Sequence, residues 1–285
     1  MTVSNSEPAV GARAKPGHEL ALRVASALVL APLAIVAAWL GGGWFLAFWT
    51  IGAIGVLWEW TRLVAGRKVW PVVTVAGLVI VGAGWLLAAA RPEATLEVLA
   101  VGALLAAGLG PAGKRIWVGG GCAYAGAVLA APALLRLDGE LGVVALLFLF
   151  AVVWMTDVFA YLVGRAVGGP RVWPAVSPKK TWSGAIGGAV AGAIAGTVVA
   201  MWAGLPNLPI LAVVSLGLSI VSQAGDFLES ALKRRFGAKD ASHLIPGHGG
   251  VMDRLDGFLA AAAAAAVLGV LRGGIHAPAQ GLLIW

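Results

Sequence analysis

The chain has 285 residues, of which 60% are hydrophobic and only 12% are charged. Soluble domains carry about a quarter charged residues, so this composition excludes a globular protein with a water-covered exterior. The apolar residues come in long runs without an amphipathic period, which indicates membrane-spanning helices. The net charge of +7 then points to loop topology and to anionic lipids or nucleotides rather than to nucleic acid. The single cysteine, Cys122, excludes an intramolecular disulfide and a thiolate metal site.

Nine apolar segments have about the 20-residue length that crosses a bilayer. In chain order they are 21–40, 43–61, 70–90, 94–112, 116–135, 141–163, 183–203, 209–229 and 255–272. We therefore predict an all-α, polytopic integral membrane protein with about nine transmembrane helices. It divides into a cytoplasmic tail at 1–20, N-terminal transmembrane helices at 21–135 and a catalytic transmembrane region at 136–285. We interpret the first span as a retained signal anchor, because it runs on towards a second span without a cleavage site.

The basic residues predict the orientation of these helices. All but three of the 20 Lys and Arg residues fall in the tail and in the alternate loops on its side of the membrane. The exceptions are Arg91, Arg136 and Arg272. By the positive-inside rule the tail and those loops are cytoplasmic, which predicts a multi-pass protein of a bacterial-type inner (plasma) membrane. Two of these loops, 164–182 and 230–254, are much longer than the others, and we expect function there.

Five carboxylates lie in or beside the C-terminal spans, where an ionisable residue is costly and indicates function. They are Asp157, Asp226, Glu229, Asp253 and Asp256. Helical spacing places Asp226 on one face with Glu229 and Lys233, and it places Asp253 on one face with Asp256. If spans six, eight and nine adjoin, these faces meet in one cytoplasmic pocket. Such oxygen ligands suit a hard cation such as Mg²⁺, bound together with substrate phosphates.

Polar residues of the two long loops fit a phosphate site. The segment SPKKTWSG offers hydroxyl and ammonium groups directly before a span, whose helix N-terminus would attract an anion. Those groups belong to Ser177, Lys179, Lys180 and Thr181. The later loop combines Lys239, His243 and His248 with a Gly pair that permits close backbone approach to a ligand. Taken alone, each of these two patterns is as typical of a basic loop or a turn as it is of a phosphate site. For Asp157 the simpler interpretation is an ion pair with Arg165 or Lys179.

The stretch 230–256, SALKRRFGAKDASHLIPGHGGVMDRLD, resembles the signature of the phosphatidate cytidylyltransferase (CDP-diacylglycerol synthase) family along its full length. The matching residues are Ser230, Lys233, Arg234, Lys239, Asp240, Pro246, His248, Gly249, Gly250, Asp253, Arg254 and Asp256. The segments 157–165, 177–184 and 225–230 also look like recurring blocks of that family. The resemblance covers residues 150–258, whereas the N-terminal half fits only as hydrophobic spans.

The resemblance implies that CTP and phosphatidate react to give CDP-diacylglycerol and pyrophosphate for phospholipid biosynthesis. It implies a Mg²⁺-dependent homodimer with a two-cation centre, Mg²⁺ and K⁺, at Asp226 and Asp253. On this hypothesis those two acids are catalytic together with Lys233 and Asp256. The substrate-binding residues are then Asp157, Ser177, Lys179, Lys180, Thr181, Glu229, Ser230, Lys239, Asp240, His248, Gly249, Gly250 and Arg254. Asp157 serves either as a polar ligand or as an anchor for Lys179.

Other functions fit the sequence less well. An ion-coupled secondary transporter should carry its acids near the bilayer midplane, in interrupted spans of related halves. A CDP-alcohol phosphotransferase needs further Asp, Gly and Arg residues after Asp256-Gly257, where this chain has FLAAAAA. The alternative of a CTP-dependent lipid kinase stays open, because such an enzyme uses the same nucleotide as a cytidylyltransferase and differs only in the group that it transfers. A non-catalytic lipid-binding scaffold leaves the clustered acids without a role.

Overall fold

A computed structural model describes residues 16–66, 69–242, 244 and 249–285, with side chains from residue 28 onwards. The helices are α1 (Pro16–Leu40), α2 (Gly42–Ala65), α3 (Trp70–Ala88), α4 (Pro92–Leu109), α5 (Arg115–Arg136), α6 (Gly139–Val167), α7 (Trp182–Trp202), α8 (Leu208–Arg235), α9 (Met252–Gly273) and α10 (Pro278–Leu283). Two short strands, β1 (Arg171–Trp173) and β2 (Ser177–Thr181), form an antiparallel pair between α6 and α7.

The prediction of an all-α polytopic membrane protein is confirmed. Within the described residues, seven helices, α3 to α9, are long and apolar enough to cross a membrane, and α1 contributes the shorter apolar helix Leu28–Leu40. Across the described residues the long helices α1 to α9 overlap the nine predicted segments, although only the seven from α3 to α9 have the length and apolar composition of a span. Their ends differ where polar residues continue a helix: α6 extends to Val167, α8 extends to Arg235, and α9 already begins at Met252. Both long loops are therefore shorter than predicted.

Two small elements were not predicted. The β1–β2 hairpin occupies most of the first long loop and pairs Arg171 with Thr181 and Trp173 with Ser177. The short helix α10 packs against α9 at the opposite end of the molecule, where the Asp138 carboxylate accepts a hydrogen bond of 2.8 Å from the Gln280 N–H. Strands of three and five residues and a helix of six carry too few residues for a hydrophobic period to reveal them.

The helix α5 lies at the centre of the bundle, where it contacts α2, α3, α4, α6 and α9. The most extensive contact joins α6 to α7, and one face of α7 consists of Gly184, Gly188, Gly192, Gly196 and Ala200, all buried. A Cβ atom at Gly188 would lie only 2.7 Å from the carbonyl oxygen of Thr156 on α6. This close approach, which small residues permit between membrane helices, lets α6 and α8 both pack on the glycine face of α7, where the Thr156 and Ser219 hydroxyls lie 2.6 Å apart.

Contacts between loops agree with the alternation of the predicted spans. On the side predicted to be cytoplasmic, the Trp60 indole N–H donates to the Trp117 carbonyl over 2.7 Å. On the other side, the Arg136 Nε–H donates to the Ala38 carbonyl over 2.8 Å, and Glu93 pairs with His276 at 2.9 Å. Segments assigned to one side of the membrane thus contact each other.

Candidate active site

The lysine Lys233 joins the ends of α8 and α9. Its Nζ atom lies 2.6 Å from Glu229 Oε2, one helical turn earlier on α8, and 2.5 Å from Asp253 Oδ1 on α9. The exposed fractions are 11% for the Lys233 side chain, 1% for Glu229 and 7% for Asp253. A buried cation between two buried carboxylates keeps the ends of the two helices together, because separating them would leave charges unpaired.

A second lysine brings the hairpin to the same helix. The Lys180 ammonium on β2 forms an ion pair with Asp226 on α8, and it lies 4.6 Å from the ring centroid of Phe227. Neighbouring residues of a strand point to opposite faces, so Lys179 is directed away from this pair and is exposed. The first long loop therefore delivers one of its two adjacent lysines to the carboxylate cluster.

The remaining two acids complete the cluster. Asp256 lies within electrostatic range of Asp226, Glu229 and Asp157, and its Oδ1 accepts the N–H of Gly257 over 2.7 Å. Asp157 on α6 interacts with Asp226, with Lys180 and with Arg254. The acids of spans six, eight and nine thus gather at one end of the bundle, as the helical spacing predicted.

The positively charged neighbours of Asp157 differ from those expected. The sequence suggested Lys179 or Arg165 as its partner, whereas its cationic neighbours are Lys180 and Arg254. The alternation along β2 turns Lys179 outwards, and Arg165 instead donates from Nη1 to the Tyr161 hydroxyl over 2.8 Å. Asp157 therefore belongs to the carboxylate cluster and does not anchor Lys179.

The acid Asp253 accepts hydrogen bonds from the loop that precedes α9. Its Oδ2 accepts the N–H groups of Gly250, over 2.7 Å, and Ala241, over 3.0 Å. Gly249 has φ of +80°, and a Cβ atom there would lie 2.7 Å from Asp253 Oδ2. The predicted Gly pair is thus placed for close backbone approach, and in this structure the group approached is the Asp253 carboxylate.

Other predicted residues surround this cluster at varying depth. Ser177 and Ser230 are half-buried, and the Ser230 hydroxyl lies 3.5 Å from Asp226 Oδ1. The Thr181 hydroxyl caps α7 by accepting the Gly184 N–H over 3.2 Å. Three charged residues, Lys239, Asp240 and Arg254, are exposed. The predicted His248 lies outside the described residues, as does His243.

The donor set fits a hard cation, although lysines now pair with two of its acids. Among the described residues, no three His, Cys, Asp or Glu side chains converge closely enough to hold a metal ion by themselves. Lys180 occupies Asp226 and Lys233 occupies Asp253. Both Glu229 carboxylate oxygens are buried without an aligned hydrogen bond, even though Lys233 lies beside them. Such oxygens, in a cluster with more acids than cations, suit a Mg²⁺ ion whose coordination is completed by substrate phosphates.

Sequence reasoning missed two residues of the N-terminal half. Glu59 on α2 is fully buried and accepts hydrogen bonds from the loop before α9. Tyr124 on α5 lies within electrostatic range of Asp256 and Glu229, and its ring lies 5.0 Å from that of Trp60. A signal for Glu59 was present, because a lone acid within an apolar span indicates function. Tyr124 carries no comparable signal.

Comparisons with known proteins cover nearly the whole chain. Residues 21–271 match the model of the cytidylyltransferase family. Proteins described as phosphatidate cytidylyltransferase from Brucella abortus biovar 1 and Brucella suis biovar 1 are each 42% identical to it over 88% of this chain and 94% of their own length. One of the same description from Staphylococcus haemolyticus is 43% identical over 40% of this chain and 44% of its own. These matches confirm the resemblance and extend it into the N-terminal half: the chain belongs to the cytidylyltransferase family.

Proposed function

We propose that the chain is a phosphatidate cytidylyltransferase, which transfers the cytidylyl group of CTP to phosphatidate and forms CDP-diacylglycerol and pyrophosphate. The observation that carries this proposal is the 42% identity, over 88% of the chain, to proteins described by that name. The carboxylates and lysines gathered from α6, α8, α9 and β2 supply charges suited to such a reaction.

The reaction needs little proton transfer. A phosphate oxygen of phosphatidate, already ionised at neutral pH, attacks the α-phosphorus of CTP and forms the new P–O bond. The bond from that phosphorus to the oxygen bridging to the β-phosphate breaks, and pyrophosphate leaves with the electron pair. The obstacle is the repulsion between two polyanions, so catalysis consists mainly of positioning and charge stabilisation.

We assign Mg²⁺ to Asp226 and Asp253, with Asp256 and Glu229 in support and K⁺ as the second cation. When bound, Mg²⁺ would offset negative charge developing at the α-phosphate and on the leaving pyrophosphate. Lys180 and Lys233, which now pair with these acids, would then be released to hold phosphate oxygens.

The remaining assignments concern the surrounding residues. Ser177 and Thr181 lie on the hairpin that carries Lys180, and we assign them to the phosphates, whereas the expected role of Lys179 there does not fit its outward direction. The loop residues Lys239, Asp240 and His248, with Arg254 in the first turn of α9, would order the segment over the nucleotide. We place the N-terminus and this site on the cytoplasmic side of a bacterial inner membrane, because the basic residues concentrate there. We also propose a homodimer, as the resemblance implies.

The test separates cytidylyl transfer from the CTP-dependent kinase alternative. Detergent-purified protein is incubated with phosphatidate and with CTP labelled with ³²P either at the α- or at the γ-phosphate, with Mg²⁺ or with EDTA. Cytidylyl transfer puts the α-label into lipid and the γ-label into pyrophosphate, and EDTA stops both. Entry of the γ-label into lipid would instead identify a kinase, and absence of label from lipid in both arms would refute the proposal.

A further inference from the structure

The acid Glu59 lies on α2, outside the segment that carries the family signature, and its side chain is fully buried. Its carboxylate accepts three hydrogen bonds from the region between α8 and α9. The Ser242 hydroxyl donates to Oε1 over 2.6 Å, and the Val251 N–H donates to the same oxygen over 2.9 Å. The Met252 N–H donates to Oε2 over 2.7 Å. One side chain of the N-terminal half thus holds the start of α9.

These bonds replace a cap that α9 lacks. The residue before the helix is Val251, whose side chain has no polar atom, so the first N–H groups of α9 need partners from elsewhere. Asp253 accepts the Gly250 N–H, and Glu59 accepts the next two. A carboxylate at this end also interacts favourably with the helix dipole. Two carboxylates from different helices therefore share three consecutive N–H groups.

The same two carboxylates also hold neighbouring residues after α8. Asp253 accepts the Ala241 N–H over 3.0 Å, while Glu59 accepts the hydroxyl of the next residue, Ser242. That hydroxyl in turn accepts the Leu244 N–H over 3.1 Å. A Cβ atom at Gly250 would lie 2.6 Å from Glu59 Oε1, so the backbone there packs directly on the carboxylate. The orientation of Asp253 is consequently coupled to Glu59 through the backbone between them.

We propose that Glu59 is a positioning residue for cytidylyl transfer: it fixes the start of α9 and thereby the direction in which Asp253 presents its carboxylate to the cation. This inference rests on the proposed function. It also assigns a role to α2, since the reaction centre then depends on a helix that contributes no group to the reacting atoms. Gln at this position cannot replace Glu, because its amide NH₂ would face backbone N–H donors.

The test compares Glu59→Gln with Thr61→Val in the full-length protein in detergent. Thr61 is also buried on α2, but among the described residues its hydroxyl donates to the Leu57 carbonyl of its own helix, over 2.6 Å, and not to the loop before α9. The first measurement is hydrogen–deuterium exchange of the peptide that contains Val251 and Met252. The second is the Mg²⁺ concentration that gives half of the maximal rate, which does not change when only the fraction of active enzyme falls.

In E59Q we expect the amide hydrogens of this peptide to exchange at least about tenfold faster, and the half-maximal rate to require about tenfold more Mg²⁺. A tenfold change corresponds to roughly 1.4 kcal/mol. T61V should match the wild type in both measurements. Wild-type exchange and Mg²⁺ requirement in E59Q would overturn the inference. If E59Q does not fold, Ser242→Ala removes one of the three donors and should shift both readouts in the same direction, and no shift would be equally decisive. Failure of the proposed function shows separately, as a wild type that forms no CDP-diacylglycerol.

Discussion

Replacing Asp253 with Asn tests the assignment of the cation to this acid. The Asp253 carboxylate accepts the Gly250 and Ala241 N–H groups at one oxygen and faces Lys233 Nζ at 2.5 Å with the other. An Asn side chain can keep the two backbone bonds with its carbonyl oxygen. Its NH₂ group must then face the ammonium of Lys233, where donor meets donor. The substitution therefore preserves the shape of the loop and removes the charge.

The expected loss of stability is moderate. Hydrogen bonds to charged groups contribute about 1.5–3 kcal/mol, and breaking a buried pair outright costs about 3–5 kcal/mol. The lower range applies, because Lys233 keeps Glu229 at 2.6 Å. The substitution should reduce turnover more than it reduces stability. Asn at this position would hold the cation less tightly, and losing one interaction that stabilises developing charge lowers kcat by about 10²–10³.

The assay measures Mg²⁺-dependent formation of CDP-diacylglycerol by detergent-purified protein that elutes as a single species. We expect D253N to remain folded, to melt at a lower temperature and to lose at least about 100-fold in kcat. Asp138→Asn is the matched control, because Asp138 lies at the opposite end of the bundle and bonds the Gln280 N–H. Near-normal turnover of D253N would refute the metal assignment, and so would equal losses in the two variants.

Three further predictions concern other contacts. Gly250→Ala places a Cβ atom 2.6 Å from Glu59 Oε1, so we expect it to lower the stability by about 1–3 kcal/mol and to slow cytidylyl transfer. Gly43→Ala on α2, where a Cβ atom meets open space, should have the wild-type rate in the same assay. Lys180→Met removes the proposed phosphate ligand and should raise the KM for CTP about tenfold; steady-state kinetics with an unchanged KM would contradict that role. Burial raises the pKa of Asp138 above its ordinary 3.8, partly offset by the N–H groups of Gln280 and Ala279. The folded state therefore binds the proton more tightly than the unfolded state, and the stability gained at low pH is lost as pH rises through the raised pKa. Melting temperatures across that range should fall for the wild type relative to D138N, and parallel curves would exclude this effect.

Much of the fold follows from the sequence because lipid imposes a simple rule on each span. A segment must be apolar over about 20 residues and satisfy its own backbone, so its existence can be read locally. The carboxylate cluster could be predicted for a related reason. Asp157, Asp226 and Asp256 stand out against apolar neighbours. Helical spacing places Asp226 on one face with Glu229 and Asp256 on one face with Asp253.

The partners of these acids could not be predicted in the same way. Whether Lys179 or Lys180 meets the cluster depends on the register of a three-residue strand, β1, which has no hydrophobic pattern of its own. The bonds from Ser242 and the start of α9 to Glu59 join residues more than 180 positions apart. Such contacts depend on how α2 and α9 pack, which the spacing within either helix does not determine.

The charge balance of the site connects its stability to its chemistry. Five carboxylates face three cations, Lys180, Lys233 and Arg254, in the described part of the cluster, a formal excess of two negative charges. One divalent cation would balance that excess. On the proposed assignment, Asp226 and Asp253 would hold Mg²⁺, and Lys180 and Lys233, which pair with them in the free protein, would bind phosphate oxygens of the substrates. Because uncompensated charges near lipid are costly, the excess of negative charge at this site favours the binding of a cation.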